Sequence, residues 1–336
     1  MFSFVIPLLK VNWNTRAVLE GINQKYAPTD ICIISVGDQI ACLKSLSEQW
    51  GIDNLRFYDE DQFFFEKYQL SKEDICTKIS KNRPNYSSGW IYQQILKLGS
   101  NEVIEGLADW FLVWDSDLLP LDSWPLLENN VPKFALLQDK SAGNQEIIAG
   151  WDQWIRNVLG VVPVENDKSS FISHHMFFKQ EHLESLKKRI CEACNQQNWM
   201  DALIESIEDS GTMSEYWIYS SWVHAKNPND LNFYPYDQYG STTERFFDDG
   251  TGLFSSKLRL FLQNPEEESF YPTYQEILDF AKSEYKKVPS SLSFENNPRH
   301  LKKPLETIHV EEKRSKWNMR MVQADWGFTG FDQFEK

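Results

Sequence analysis

Two carboxylates one residue apart, Asp115 and Asp117, close the apolar run Trp110-Phe111-Leu112-Val113-Trp114 and precede Leu118, Leu119 and Pro120. The run reads as a buried strand with its acids at the carboxyl end. In an extended chain, residues two apart share a face, so both side chains are expected to point the same way. Paired carboxylates suit a hard divalent cation, Mg²⁺ or Mn²⁺, which is ordinarily shared between one or two protein acids and substrate phosphates. A nucleoside diphosphate is the natural guest of such a pair.

The stretch just upstream offers a second set of polar groups. Ser87 or Ser88 can cap a helix whose apolar face is Ile91, Ile95 and Leu98. Trp90, Gln94 and Lys97 fall on a separate arc of about 60° at the helical period. An aromatic plate, an amide and a cation on one arc can meet a diphosphate; a solvated face with one snorkelling lysine has the same pattern.

Further on, Phe171 to Phe178 reads as a strand containing His174 and His175, which must then face opposite sides. His175 shares its face with Ser173, so it is expected on the polar side. Thr212 and Glu215 have the spacing of a capping box at the start of a helix. Glu215 is alternatively a general base for an acceptor hydroxyl, with Trp217 on the acceptor side.

The elements that must position these groups alternate. Strand-like runs cover Ser3–Leu9, Asp30–Val36, Leu55–Tyr58, Trp110–Trp114, Phe134–Gln138 and Ser170–Phe178, and helical patterns cover Asn14–Gln24, Gln39–Trp50 and Ser87–Leu98. That order predicts an α/β architecture with a mostly parallel sheet and ligands beyond the carboxyl ends of its strands. Asp38, the Asp59-Glu60-Asp61 cluster and Asp115 with Asp117 all follow strands in this way. Helical patterns dominate later, at Gln180–Asn195, Met200–Glu208, Ser214–Val223 and Tyr274–Lys287. Residues Pro289–Pro304, rich in Ser, Asn and Pro, read as a long loop.

A chain of 336 residues with 41% hydrophobic content can bury a substantial core, and its net charge of −15 argues against a broad nucleic-acid or anionic-membrane surface. Phe2–Leu9 has no preceding cations and no small-residue cleavage site, so it reads as the first strand and not a secretory leader. No stretch approaches the ~20 apolar residues of a membrane span. Five scattered cysteines do not form a disulfide framework, and Cys191-x-x-Cys194 lies in a charged helical stretch with no second pair. A soluble, cytoplasmic protein is expected.

Taken in order, Phe2-Ser3-Phe4-Val5-Ile6-Pro7, Ile33-Ile34-Ser35-Val36-Gly37-Asp38 and the Asp115-Ser116-Asp117 D-x-D resemble nucleotide-sugar glycosyltransferases of the GT-A fold. Ser88-Gly89-Trp90 through Lys97-Leu98, Ser173-His174-His175-Met176 and Ser214-Glu215-Tyr216 are similar to a poorly characterised family of bacterial glycosyltransferase-like proteins. This resemblance spans roughly the first 225 residues. It implies a Rossmann-like central sheet flanked by helices and a helical or irregular C-terminal region. Residues 1–260 would form the catalytic domain, split into a nucleotide-binding half (1–125) and an acceptor half (126–260). Residues 261–336 would be a helical and loop extension packed on the same domain.

It further implies a Mn²⁺ or Mg²⁺ ion on Asp117 and Asp115, with Asp115 also near the ribose and Asp38 near the base or ribose. Trp90, Gln94 and Lys97 would face the donor, and a late histidine, His300 or His309, would complete the metal site. Lys302 and Lys303 are available for phosphate, although the glycines of the His-to-Lys-Pro pattern of retaining members are missing here. The implied activity is transfer of a sugar, from a donor expected to be uridine-linked, to a saccharide or glycan-precursor hydroxyl, with inversion and Glu215 as base. The other readings are a catalytically silent glycan- or nucleotide-binding relative and a D-x-D metal-dependent phosphohydrolase.

Overall fold

A computed structural model describes residues 2–84, 87–135, 137–138, 145–164, 169–170, 173–207, 213–234, 243–265 and 269–295. The chain opens with β1 (Ser3–Pro7), α1 (Thr15–Tyr26), β2 (Ile31–Ser35), α2 (Gly37–Trp50) and β3 (Leu55–Asp59). Next come α3 (Phe65–Tyr68), α4 (Lys72–Asn82), α5 (Ser88–Val103), β4 (Trp110–Trp114) and β5 (Leu118–Pro120). The middle holds β6 (Leu127–Glu128), β7 (Val131–Ala135), β8 (Leu137–Gln138), α6 (Gln145–Trp154), β9 (Ser169–Ser170) and β10 (His175–Lys179). It continues through α7 (Gln180–Cys194), α8 (Trp199–Ser206), α9 (Glu215–Lys226), β11 (Asn232–Tyr234), β12 (Thr243–Phe247) and α10 (Asp248–Phe261). The last described elements are α11 (Tyr274–Glu284) and β13 (Ser291–Glu295).

The fold is mixed α/β around a five-stranded sheet in the order β10-β4-β1-β2-β3, parallel except for β10. β1 and β2 are buried along their whole length, and β4 is buried from Phe111 to Trp114. Such strands carry unbroken apolar runs because helices cover both faces. Since β1, β2 and β4 run the same way, Asp38 after β2 and Asp115 after β4 lie at one edge, with β1 between them.

Helix α5 carries Gln94 and Lys97 to the site. Ser87 caps it by accepting from the Trp90 amide, and it packs against β1, α7 and α9. It is buried almost all round from Ile91 to Ser100, which explains how Lys97 comes to lie inside the protein. Gly99 is required there, because a Cβ would meet the Phe64 ring at 2.5 Å.

A second, three-stranded sheet joins distant parts of the sequence in the order β12-β13-β5. It corrects the expected loop at Pro289–Pro304: Ser291–Glu295 is a strand, parallel to β12 and antiparallel to β5. The alternation of Leu292 and Phe294, both buried, supplies the reason, since the two side chains enter the common core on one face of the strand. Phe270, Ile277, Phe280 and Phe294 share one apolar core with Phe4 and Trp114. Tyr274 ties α11 to the first half of the chain, donating from its amide to Glu20 and from its hydroxyl to the Leu121 carbonyl. Among the described residues, no helix is long and apolar enough to cross a membrane.

Candidate active site

The acids at the end of β4 do not converge by strand alternation. The strand stops at Trp114, and the chain turns, with the Leu118 amide donating to the Asp115 carbonyl at 3.1 Å. Trp114 Nε1 donates to the Leu118 carbonyl and braces that turn. The second sheet pins it from the other side, through the Phe294 amide to the Asp117 carbonyl at 2.9 Å. The expectation of a shared strand face is thus corrected to a braced turn.

Two helices bring charge to this turn. Lys97 Nζ, from α5, lies 2.7 Å from Asp115 Oδ1 and 2.7 Å from Glu215 Oε1, at the first turn of α9. It also contacts the Tyr216 hydroxyl at 3.2 Å, and that hydroxyl donates to Asp115 Oδ1 at 3.2 Å. Gln94 accepts from the Glu215 amide at 3.0 Å, so α5 holds the start of α9 through two side chains. The lysine is 3% exposed and Glu215 is 5% exposed, so the ion pairs lie away from bulk water.

Burial alone would push the Lys97 ammonium down, but Asp115 and Glu215 override it and hold it well above the ordinary lysine range. Burial likewise opposes ionisation of Asp115, yet Lys97 and His174 keep its carboxyl well below the usual carboxylate range. Both charges therefore persist at any physiological pH.

The spacing of Thr212 and Glu215 suggested a capping box. In the structure Ser214 is the cap, accepting from the Trp217 amide, and Thr212 lies outside the described residues. With the cap supplied by Ser214, the Glu215 carboxylate is left for Lys97.

The two histidines exchange the places expected of them. His175 pairs with Trp114 in the β10–β4 register, so its ring shares the buried face of Trp114. It lies 5.1 Å from the Trp114 ring and stacks on Trp124 at 5.0 Å. Burial pushes its imidazole down to about 3, making it a neutral core residue. His174 instead sits beside the acids, with Nδ1 3.2 Å from Asp115 Oδ2 and 3.6 Å from Asp117 Oδ1. Strand alternation fails because His174 has φ of 62°, outside the pleat, while its carbonyl accepts from the Asp115 amide. A non-glycine residue in that region costs about 1–2 kcal/mol, a cost the surrounding contacts must offset.

The remaining expected residues are spread more widely. Asp38 is exposed in the first turn of α2 and bonds with Gln39. Trp90 is half-buried at the start of α5 and packs on the core, apart from the inward-facing Gln94 and Lys97. Trp217 is buried, with Nε1 donating to Asp152 and its ring 5.9 Å from that of Trp151. His300, His309, Lys302 and Lys303 lie outside the described residues. Two groups that local patterning missed are Tyr216, adjacent to Glu215, and Arg245 of β12, whose guanidinium is 2.9 Å from His174 Nε2.

Asp115, Asp117 and His174 each offer a ligand atom, all within 4.8 Å of one another. Asp117 is the less engaged member: its side chain is 32% exposed, and its Oδ1, shielded from solvent, has no hydrogen-bond partner among the described residues. An oxygen-rich set with one unsatisfied carboxylate oxygen fits Mg²⁺ or Mn²⁺ better than a thiophilic ion. A second group, Glu181, His182 and Asp230, is already bridged by Lys179 and lies outside this site.

The sequence profile of DUF6492, a family of unknown function, matches residues 19–278. No curated protein matches the sequence. Among solved structures, the chain is similar to mouse xyloside xylosyltransferase 1 in its apo form, at 9% identity and a TM-score of 0.43, covering 73% of this chain and 87% of that one. It is also similar to the galactosyltransferase LgtC in complex with donor and acceptor sugar analogues, at 13% identity and a TM-score of 0.38, covering 87% and 86%. A third is the apo form of the glycosyltransferase GlyE from Streptococcus pneumoniae TIGR4, at 10% identity and a TM-score of 0.37, covering 87% and 54%.

Proposed function

The chain belongs to DUF6492, a family of unknown function, and from its own residues we propose that it is a GT-A-type glycosyltransferase acting on a nucleotide-sugar donor. The observation that carries the proposal is the division of labour between the two acids. Asp115 is engaged by Lys97, Tyr216 and His174, whereas Asp117, at the carboxyl edge of the parallel sheet, is partly exposed and its Oδ1 has no hydrogen-bond partner among the described residues.

In this reading Asp117 is the principal ligand of a divalent cation and Asp115 its partner. Bound there, Mn²⁺ or Mg²⁺ would neutralise the charge that develops on a departing nucleoside diphosphate. Lys97 fixes Asp115 in place and adds a permanent positive charge behind it. Tyr216 orients the same carboxylate through its hydroxyl. The proposed donor is uridine-linked, with Asp38 toward the base or ribose, and the proposed acceptor is a saccharide or glycan-precursor hydroxyl.

The sequence reading makes Glu215 the base of an inverting transfer. The geometry favours another role, second counter-ion of Lys97, because its Oε1 lies 2.7 Å from Nζ and the residue is almost fully buried. Glu215→Gln separates the two. A base would lose turnover with unchanged donor affinity, and a counter-ion would lose stability and donor affinity together. The phosphohydrolase alternative needs Asp115 as a nucleophile, and its carboxylate is occupied by three neighbours.

The test is turnover of a panel of nucleotide sugars with Mn²⁺, with Mg²⁺ and with EDTA. The expected result is metal-dependent release of a nucleoside diphosphate, lost in Asp117→Ala. Release of inorganic phosphate from phosphomonoesters would instead establish a phosphohydrolase. Metal-dependent binding of a nucleotide without turnover of any donor would establish the silent relative.

A further inference from the structure

The end of β4 opposite the Asp115 turn carries a second cluster of ligating groups. β10 is antiparallel to β4, and Lys179, its last residue, pairs with Trp110, the first residue of β4. Asp115 follows the last residue of that strand, so the two clusters lie at opposite edges of the sheet. The first turn of α7 supplies Glu181 and His182, and the short turn Pro228–Asp230 after α9 supplies Asp230. Each offers one ligand atom, all within 4.8 Å of one another. Glu181, the most exposed of them, is placed to swing inward and close the set.

The imidazole is held in place. His182 is 2% exposed, and its ring meets that of Trp110 edge-on, with centroids 5.8 Å apart and planes at 80°. Nε2 lies 2.9 Å from Asp230 Oδ2, whereas Nδ1 makes no hydrogen bond among the described residues and lies 4.0 Å from Glu181 Oε1. Burial pushes the ring below its ordinary value despite the opposing pull of Asp230. A neutral imidazole keeps one lone pair, which is the form in which histidine binds a metal. A carboxylate beside the second ring nitrogen is the usual orienting partner of such a ligand.

The cluster is already organised around a positive charge. Lys179 Nζ bonds Glu181 and lies 3.2 Å from Asp230 Oδ2. It makes hydrogen bonds to both carboxylates and none to the His182 ring. An ammonium therefore leaves the ring lone pair unused, and a divalent ion in its place would use it. Lys179 also lies over the Trp110 ring at 5.4 Å, so its flexible stem gives the displaced ammonium an aromatic face to rest on.

We propose that Glu181, His182 and Asp230 form a second divalent-metal site, suited to Zn²⁺, with Lys179 as the internal cation that the ion displaces. One imidazole and two carboxylates favour Zn²⁺ over Mg²⁺, which takes oxygen ligands. The ion would staple the corner between β10 and α7 to the far end of α9, the helix that begins at Glu215. Nothing in this assignment depends on the activity proposed for the Asp115 turn.

The test is Zn²⁺ binding to the full chain carrying Asp117→Ala, which removes an acid of the other cluster, read by competition with a chromophoric chelator. One bound ion is expected. Glu181→Ala and His182→Gln should each weaken it about tenfold or more, and Lys179→Met should tighten it by a similar factor. The Glu181 side chain is 59% exposed, so its variant tests the site whether or not His182→Gln folds. X-ray absorption of the bound ion should show nitrogen and oxygen at about 2.0–2.2 Å. Sulfur at about 2.3 Å would place it on Cys191 and Cys194 and overturn the assignment. So would an affinity unchanged by Glu181→Ala, or an absence of binding in Lys179→Met.

Discussion

Two buried lysines, Lys97 of α5 and Lys187 of α7, sit in matching surroundings and behave in opposite ways. Each lies over an aromatic ring, Lys97 at 4.6 Å from that of Tyr216 and Lys187 at 4.8 Å from that of Trp199. Lys97 has two carboxylates at 2.7 Å. Lys187 has one, Glu102 at 2.8 Å, and its other partner is the Asn101 amide oxygen at 2.6 Å. Burial pushes Lys187 down further than Glu102 lifts it, to about 8, whereas Lys97 is held well above its ordinary value. One counter-ion does not offset the desolvation of an ammonium, and two do. The networks also end differently. Glu102 closes on Tyr68 and Lys67 among helices, but the Lys97 network leads through Asp115 to the turn that presents Asp117. The first is a brace, and the second is a charged platform with an open end.

The largest way to break this comparison is Lys97→Met. It leaves Asp115 and Glu215 buried without their cation and is expected to cost about 3–5 kcal/mol in urea unfolding. Lys187→Met leaves Glu102 with Lys67 and Tyr68 and should cost about 2 kcal/mol less than the first variant. Equal losses would mean the second carboxylate adds nothing.

The pH dependence sharpens the same contrast. Lys187 falls from 10.5 to about 8 on folding, so between those values the unfolded chain binds more protons than the folded one. Stability then rises with pH, and the wild type should gain up to about 3 kcal/mol relative to Lys187→Met between pH 8 and 10.5. The Lys97 contribution has the opposite sense: it is fully present below 10.5 and is lost only as pH climbs through its raised value. A flat difference curve for Lys187→Met would remove the distinction.

Smaller effects follow at the carboxylates. Glu215→Gln keeps an acceptor for Lys97 and retains Asp115 beside it, so a loss of about 1–2 kcal/mol is expected by thermal and urea melts. Asp117→Asn should change stability by no more than about 0.5 kcal/mol, because its side chain is partly exposed and its carboxylate makes no hydrogen bond among the described residues, only the 3.6 Å approach to His174. A loss of several kcal/mol there would make Asp117 structural.

Much of this platform was legible in local sequence. The apolar run before Asp115 gave the strand, the helical arc joined Gln94 to Lys97, and Glu215 stood at a helix start. What escaped depended on geometry that periodicity does not carry. Asp115 and Asp117 meet through a turn and not a pleat. Alternation predicts the faces of His174 and His175 the wrong way round because a single residue at φ 62° suspends the pleat, and the antiparallel register that puts His175 opposite Trp114 is set by tertiary pairing. Arg245 reaches His174 across 71 positions, from a sheet one of whose strands has the composition of a loop because Ser, Asn and Pro surround it.

The central claim is that Asp117 gives this platform a metal-dependent hold on a nucleoside diphosphate. Thermal shift of wild type and Asp117→Ala with UDP, in Mn²⁺ and in EDTA, tests it most directly. At a ligand concentration near one hundred times Kd, binding should add about 2.7 kcal/mol to wild-type stability in Mn²⁺, with little shift in EDTA and none in the variant. An equal UDP shift in Asp117→Ala, or a wild-type shift indifferent to metal, would contradict the account.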